Sequence, residues 1–326
     1  MRKSTKIWLL TAASLIALGC VSFTATACAI GWDFNKFSTV TLETNTYEIT
    51  ESFQNISMNM NTADVTFLHS DNGQCKVVCY EDVKEKHSVT VENGTLSVQA
   101  VNNRAWYDYL TVAGNGDSKI TVYLPQAQYG ALTVETDTGD IAIPKDFAFE
   151  SVNIQGSTSD IDCSATVQNA LAVKISTGDI TLEEVTASSI SLTVSTGDID
   201  LNKVAIANDL TIQASTGKTE LNHVTSKNYT HNSGTGDVEM ENVFISGKMQ
   251  IKTSTGDVEF DHCDAGEIYI KTSTGDVEGS LLTEKNFQAD SNTGKVHIPD
   301  TKVGGKCEIV TSTGDIFITL AVTANE

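Results

Sequence analysis

The sequence predicts an all-β fold: a single-stranded β-solenoid of about ten regular coils of 19–20 residues, with an irregular N-terminal β cap and one N-terminal transmembrane helix. Three observations lead there. One pattern recurs ten times at a spacing of 19 or 20 residues, apolar residues alternate at every second position around it, and one uncharged stretch near the N-terminus is long enough to cross a bilayer. The chain divides accordingly into a membrane anchor or signal peptide over 1–30, an irregular β region with degenerate repeats over 31–130, and a regular solenoid over 131–326.

Arg2, Lys3 and Lys6 precede Ile7 to Ile30, 24 residues without a charge. At about 1.5 Å rise per residue a helix of that length spans the hydrocarbon core. The positive-inside rule then keeps residues 1–6 in the cytoplasm and puts the chain after Gly31 outside. Two alternatives retain export but lose the uncut anchor. One is a cleaved signal peptide with Ala25-Thr26-Ala27 as its small-residue cleavage site. The other is a lipoprotein, because Ala17-Leu18-Gly19-Cys20 resembles a lipobox with alanine where leucine is usual, and would leave Cys20 lipidated. The apolar character runs past both cleavage points to Ile30, as an uncut membrane helix requires.

In the irregular region, Asn61-Thr62-Ala63-Asp64-Val65 is the clearest degenerate copy of the repeat, following Ile56, Met58 and Met60 in alternation. Val89 to Val98 encloses Asn93-Gly94, a strong signal for a tight hairpin turn. Arg104 to Tyr109, with Trp106, Tyr107 and Tyr109, reads as cross-strand packing in the cap, with a sugar or partner platform as the alternative.

The repeat has its central position at Gly139, Ser159, Gly178, Gly197, Gly217, Gly236, Gly256, Gly275, Gly294 and Gly314, each preceded by threonine. Aspartate follows in eight copies, Lys218 and Lys295 in the other two, and a β-branched residue comes next every time. Glycine suits a corner that needs positive φ, and the neighbouring threonine offers a hydroxyl to its own turn or to the threonine one coil above. A unit this short cannot close its own core, whereas stacked units share one. A propeller blade is about twice as long, and the consensus of leucine-rich repeats is missing. An open solenoid end carries a strand edge that another copy could meet, though the oligomeric state is not fixed by the sequence.

The formal charge is −21, and leaving out the three cytoplasmic cations sets 18 basic against 42 acidic residues outside. Such a surface excludes nucleic acid as a partner, since no basic patch exists to release phosphate counterions. Five cysteines lie beyond the anchor: Cys75, Cys79, Cys163, Cys263 and Cys307. On one extended strand Cys75 and Cys79 have α-carbons about 13 Å apart, too far for a disulfide, so buried free thiols are expected.

The repeated Ser-Thr-Gly-Asp-Ile/Val unit, with Gly31-Trp32-Asp33-Phe34 just after the membrane segment, resembles the bacterial DUF4097 family, whose members carry the provisional label of adhesins. The resemblance covers nearly the whole chain and implies a right-handed β-solenoid on a bacterial envelope protein, with some relatives tied to envelope stress. Its motif is a packing motif, so no catalytic or ligand residue carries over.

No catalytic, cofactor-binding or metal residue is assigned, and no cofactor is expected. The aspartate column reads first as turn chemistry and second as a cation site, with Asp237, Asp257 and Asp276 the candidates. The histidines (His69, His87, His223, His231, His262, His297) show no pair at metal-binding spacing, and His262-Cys263 reads as a surface histidine beside a core cysteine. Hydrolase elbows, P-loops, dinucleotide fingerprints and zinc-protease helices are missing, so the chain reads as a non-enzyme. The expected function is a membrane-tethered extracytoplasmic binding or structural module of the cell envelope, adhesin-like. Its expected partners are a cell-wall component or a surface or membrane protein, with the membrane engaged through the N-terminal helix. An envelope-stress sensor acting through a membrane signalling partner is the alternative.

Overall fold

The computed structural model describes residues 3–32, 41–102 and 118–321. Asp33, Phe34, the aromatic cluster Arg104 to Tyr109 and the tail Thr323 to Glu326 lie outside the described residues. The chain forms two compact units, one from residues 1–43, 81–86 and 101–116, the other from 44–80, 87–100 and 117–326.

The first unit holds the helix Lys3–Ala29, of which Thr5–Ala29 is apolar enough to cross a membrane. Its polar side chains turn back on the helix itself: the hydroxyls of Thr11, Thr24 and Thr26 donate to the carbonyls of Ile7, Cys20 and Ser22 at 2.8–3.0 Å. In hydrocarbon that satisfies groups that would otherwise cost several kcal/mol each. Gly31, at φ 71°, ends the helix.

The second unit is the solenoid. A regular coil has three parallel strands, as in Ser189–Thr196, Ile199–Asn202 and Ala205–Ile206, each paired in constant register with its equivalent one coil before and one coil after. Alternation turns Ile190, Leu192, Val194, Ile199, Leu201, Val204 and Ile206 inward, all buried. Stacking joins these sets into one continuous apolar interior that runs from Ile56 to Ile318. Nine of the ten expected corners are in file and Thr62 joins them: Thr62, Thr138, Thr158, Thr177, Thr196, Thr216, Thr235, Thr255, Thr274 and Thr313 are each in register with the next, while the Thr293 hydroxyl donates to the Ser312 carbonyl at 3.3 Å. Thr62 belongs to the degenerate copy Asn61 to Val65, which is a full corner.

At each corner two main-chain donors reach forward to the next coil, as in Gly178 N to Thr196 O at 3.0 Å and Ile180 N to Asp198 O at 2.9 Å. The aspartate N–H between them points back, and the aspartate carboxylate of the previous coil accepts it. Asp160, Asp179, Asp198 and Lys218 donate in this way to Oδ1 of Asp140, Asp160, Asp179 and Asp198 at 2.7–3.0 Å. The series resumes with Asp257, Asp276, Asp315 and Lys295 donating to Asp237, Asp257, Asp276 and Asp315 at 2.7–2.8 Å. The column is therefore held by main chain and carboxylates, not by the threonine hydroxyls that the sequence suggested.

Glycine is required at this corner twice over. Gly197 sits at φ 146°, and a β-carbon there would meet the carbonyl oxygen of Gly178 at 1.9 Å. Ser159 departs from the pattern by keeping negative φ and turning its side chain into the space beside Gly156. Gly294, in the outermost coil, also lacks positive φ.

A second corner escapes the sequence reading. Glu184, Lys203, His223, Asn242 and His262, spaced 19 or 20 apart, all adopt φ of 50–56°. Each left-handed residue breaks the two-residue period, so that two consecutive side chains face outward and both Leu201 and Val204 can face inward. His262 is exposed at this corner and Cys263 is buried, as expected, although a corner rather than a strand separates them.

Both ends depart from sequential stacking. At the N-terminal end, Thr95–Asn102 and Lys119–Leu124 form the outermost coil, and the earlier strands Asn55–Thr62 and Asp64–His69 lie between it and the coil of Gln128–Thr138 and Ile141–Ile143. Asn93 and Gly94 lead into this outer coil with φ of 50° and 74°, as a tight hairpin turn demands. At the C-terminal end, the last strands Lys306–Thr311 and Ile316–Leu320 insert between the Gly275 coil and the Gly294 coil. The Gly294 coil is thus outermost, and this explains Lys295: no further coil follows among the described residues, so no carboxylate is needed there.

One polar residue sits wrongly for an apolar interior. His231 is fully buried, in register between Ile212 and Ile251, with neither ring nitrogen hydrogen-bonded. Burial drives its pKa down to about 4.

Two outcomes follow from these contacts. Asp257→Ala, which removes a carboxylate accepting an N–H, is expected to lower stability by about 1–2 kcal/mol, while Asp257→Asn, which keeps an acceptor oxygen, loses much less; chemical denaturation of both variants checks this. For His231 the folded state takes up a proton less readily than the unfolded state, so its contribution is whole above the ordinary histidine value near 6.5 and is lost as pH falls toward about 4. The loss approaches about 1.4 kcal/mol per pH unit. Thermal melts of wild type and His231→Leu across pH 7 to 4.5 should diverge, and parallel curves would refute it.

Candidate binding face

The residue two places after the corner aspartate or lysine points outward from the second strand of each coil. In stacking order these residues are Asp162, Thr181, Asp200, Glu220, Glu239, Glu259 and Glu278, each in register with the next. The spacing is one coil, about 4.8 Å. Beside them on the same face runs a second file, Glu183, Asn202, Asn222, Glu241 and Asp261. From Asp200 and Asn202 onward the two files line an open groove of about 700 Å³ that ends at Phe317. Phe317 is 46% exposed and stacks on His297 with ring centroids 5.0 Å apart.

One lysine offsets this charge. Lys218, where the corner aspartate is missing, bridges Glu220 and Glu239, the latter at 2.7 Å. Further along, Glu259 is held above the ordinary glutamate range by partial burial, then by Glu239 and Glu278 on either side and by Asp257 and Asp237. Asp200 is raised by burial and by Glu220 and Glu183, and Asp162 by burial and by Asp160 and Asp140. Asp261 goes the other way, lowered by hydrogen bonds from Ser280 at 2.5 Å and His262 at 2.8 Å. Most of the groove therefore carries uncompensated negative potential, which attracts positive charge at a distance and at contact.

The arrangement suits binding. The five cysteines beyond the helix are all buried and none is in a disulfide, and burial pushes the thiols of Cys163 up to about 11 and of Cys263 and Cys307 up to about 12, which removes these three as nucleophiles. In the aspartate column, including Asp237, Asp257 and Asp276, one carboxylate oxygen of each is committed to the corner of the adjacent coil. Of the histidines, His69 stacks on Phe147, His231 is in the core, and His262 pairs with Asp261 at the second corner.

The carboxylate file was present in the sequence as Gly-Asp-Val-Glu at 236–239, 256–259 and 275–278. The signal lies one residue beyond the β-branched position that closes the Ser-Thr-Gly-Asp-Ile/Val unit.

A family model described as Toastrack DUF4097 matches residues 53–208 and 203–325. No curated protein matches the sequence. Among solved structures, the chain is similar to a provisionally assigned adhesin from Bacteroides fragilis at 16% identity, covering 86% of this chain and 99% of that one, with a TM-score of 0.44. A provisionally assigned lipid binding protein from Parabacteroides distasonis is 16% identical over 73% of this chain and 94% of that one, with a TM-score of 0.47. A provisionally assigned adhesin from Parabacteroides merdae is 12% identical over 74% of this chain and 97% of that one, with a TM-score of 0.48.

If the carboxylates of the file are coupled as their register implies, carboxyl NMR titration will place Glu259 above the ordinary glutamate range, and Glu239→Gln will bring it down. An unchanged Glu259 titration in that variant would show that the groove does not act as one charged surface.

Proposed function

This chain belongs to the Toastrack DUF4097 family, and from that premise we propose that it is a membrane-tethered, extracytoplasmic binding module of the bacterial envelope. It is adhesin-like in the sense of the label that family carries, and its groove engages a positively charged group on a wall component or on a surface protein. The observation that carries this reading is the file Asp200, Glu220, Glu239, Glu259 and Glu278, in register on one outward face with Lys218 bridging two of its members. Thr181 occupies the same place earlier in the file, so the coil itself does not demand a carboxylate there. Neighbouring carboxylates about 5 Å apart repel by roughly 1 kcal/mol in water before screening. A cationic partner relieves that repulsion, and such a contact weakens with salt.

The tether is supported by the helix Lys3–Ala29, uncharged from Ile7 onward, with its basic residues on the N-terminal side. The buried, neutral thiols of Cys163, Cys263 and Cys307 and an open groove support binding in place of covalent chemistry.

The test is cross-linking on intact cells, comparing wild type with a chain in which Glu220, Glu239, Glu259 and Glu278 are all changed to Gln. Wild type is expected to retain a wall fragment or a surface protein and the altered chain to lose it, while protease added to the same cells digests the solenoid. Equal capture by both chains would sink the role of the groove, and full protection from protease would sink the location.

A further inference from the structure

The two ends of the solenoid are finished differently. At the N-terminal end, the outermost strand Lys119–Leu124 has a second neighbour, Cys75–Asp82, which runs antiparallel to it with Lys76 opposite Tyr123 and Cys79 opposite Ile120. At the other end, the outermost coil consists of Asn286–Ser291 and Val296–His297. Among the described residues each of these strands pairs on one side only, with Lys306–Thr311 and Ile316–Leu320. An interior strand satisfies its main chain on both sides, so this edge offers a free row of donors and acceptors.

The side chains at this end tell the same story. Phe287, Ala289 and Val296 stand in register with Cys307, Ile309 and Ile316, which are buried one coil further in. In the outer coil Phe287 and Ala289 are only half-buried, Val296 is 42% exposed, and nearby Val303 is 57% exposed. The cross-section of the apolar interior is therefore open here.

Three observations identify what covers it. Residues 284–302 contain three acidic groups (Glu284, Asp290, Asp300) and three basic ones (Lys285, Lys295, Lys302), so this end is neutral in a chain of charge −21. Two copies can approach here without the repulsion that opposes contact elsewhere. Second, Lys295 offers no carboxylate to the corner of a further coil, a gap that the column shows elsewhere only at Lys218, so a continued stack would lack the usual joint here. Third, at the N-terminal end the edge of Lys119–Leu124, the counterpart of Val296–His297, is already taken by Cys75–Asp82, so a head-to-tail contact finds no complete matching edge there.

We propose that the C-terminal end of the solenoid is the contact surface for a second copy of this chain. The two meet end to end about a twofold axis, with Asn286–Ser291 pairing antiparallel to the same strand of the other copy. Each copy supplies the same edge, so the contact closes at two and does not propagate.

Sedimentation equilibrium of the purified full chain in detergent micelles tests this. The expected result is a dimer. Val296→Lys together with Val303→Lys, both at exposed positions, should weaken it about tenfold or more, because like charges then face each other across a desolvated edge. Phe244→Lys, exposed on the side of the stack, should leave it unchanged. In a chain with Cys20 and Cys28 changed to Ser, Gln288→Cys should give a covalent dimer with a short bis-maleimide and Ser191→Cys should not. A monomer at all concentrations, a dimer indifferent to the two lysines while the melting temperature is retained, or equal cross-linking at both positions would each overturn the proposal.

Discussion

The constraint on which the molecule depends is the close approach of one corner to the next. Each corner residue brings its carbonyl oxygen to the place where the β-carbon of the glycine one coil on would stand, 1.8–2.2 Å away. That approach leaves one N–H in each turn without a main-chain acceptor, and the aspartate carboxylate supplies it. Threonine alignment, constant register and the continuous interior follow once the corners are locked in file. The motif is thus a joint, and the charge it carries is a by-product of the acceptor it must provide.

The carboxylate face is a separate matter, although it sits two residues away. Glu239 and Glu259 accept no main-chain donor from the next corner, and Thr181 fills the same place without loss of register. A repeat protein can therefore vary this face freely, coil by coil, while the joint stays fixed. Surface chemistry and scaffold are written at adjacent positions of the same unit and answer to different demands.

What the sequence revealed follows from this. The first corner was legible because glycine, threonine and aspartate recur there for one shared physical reason, and Asn93-Gly94 was legible because few dipeptides hold two positive φ values in succession. The second corner was not, since Glu184, Lys203, His223, Asn242 and His262 share a backbone conformation and no chemistry. Its trace was a break in alternation, three residues from Leu201 to Val204 in place of two. The order of coils at the ends was hidden for the opposite reason. Near-identical repeats present Thr274 with equivalent partners at Thr293 and Thr313, so local sequence cannot say which one it meets. Lys295 was the one local hint, and Lys218 carries the same signature inside the stack.

The exchanged coils change how the chain resists tension. In a simple stack, a pull on a chain end peels the outermost coil one hydrogen bond at a time. Here the strands nearest each end of the solenoid sequence, Asn55–Thr62 and Ile316–Leu320, are held between two neighbours. A load applied there must shear ladders on both flanks together, so the domain can bear traction without unravelling from its tip.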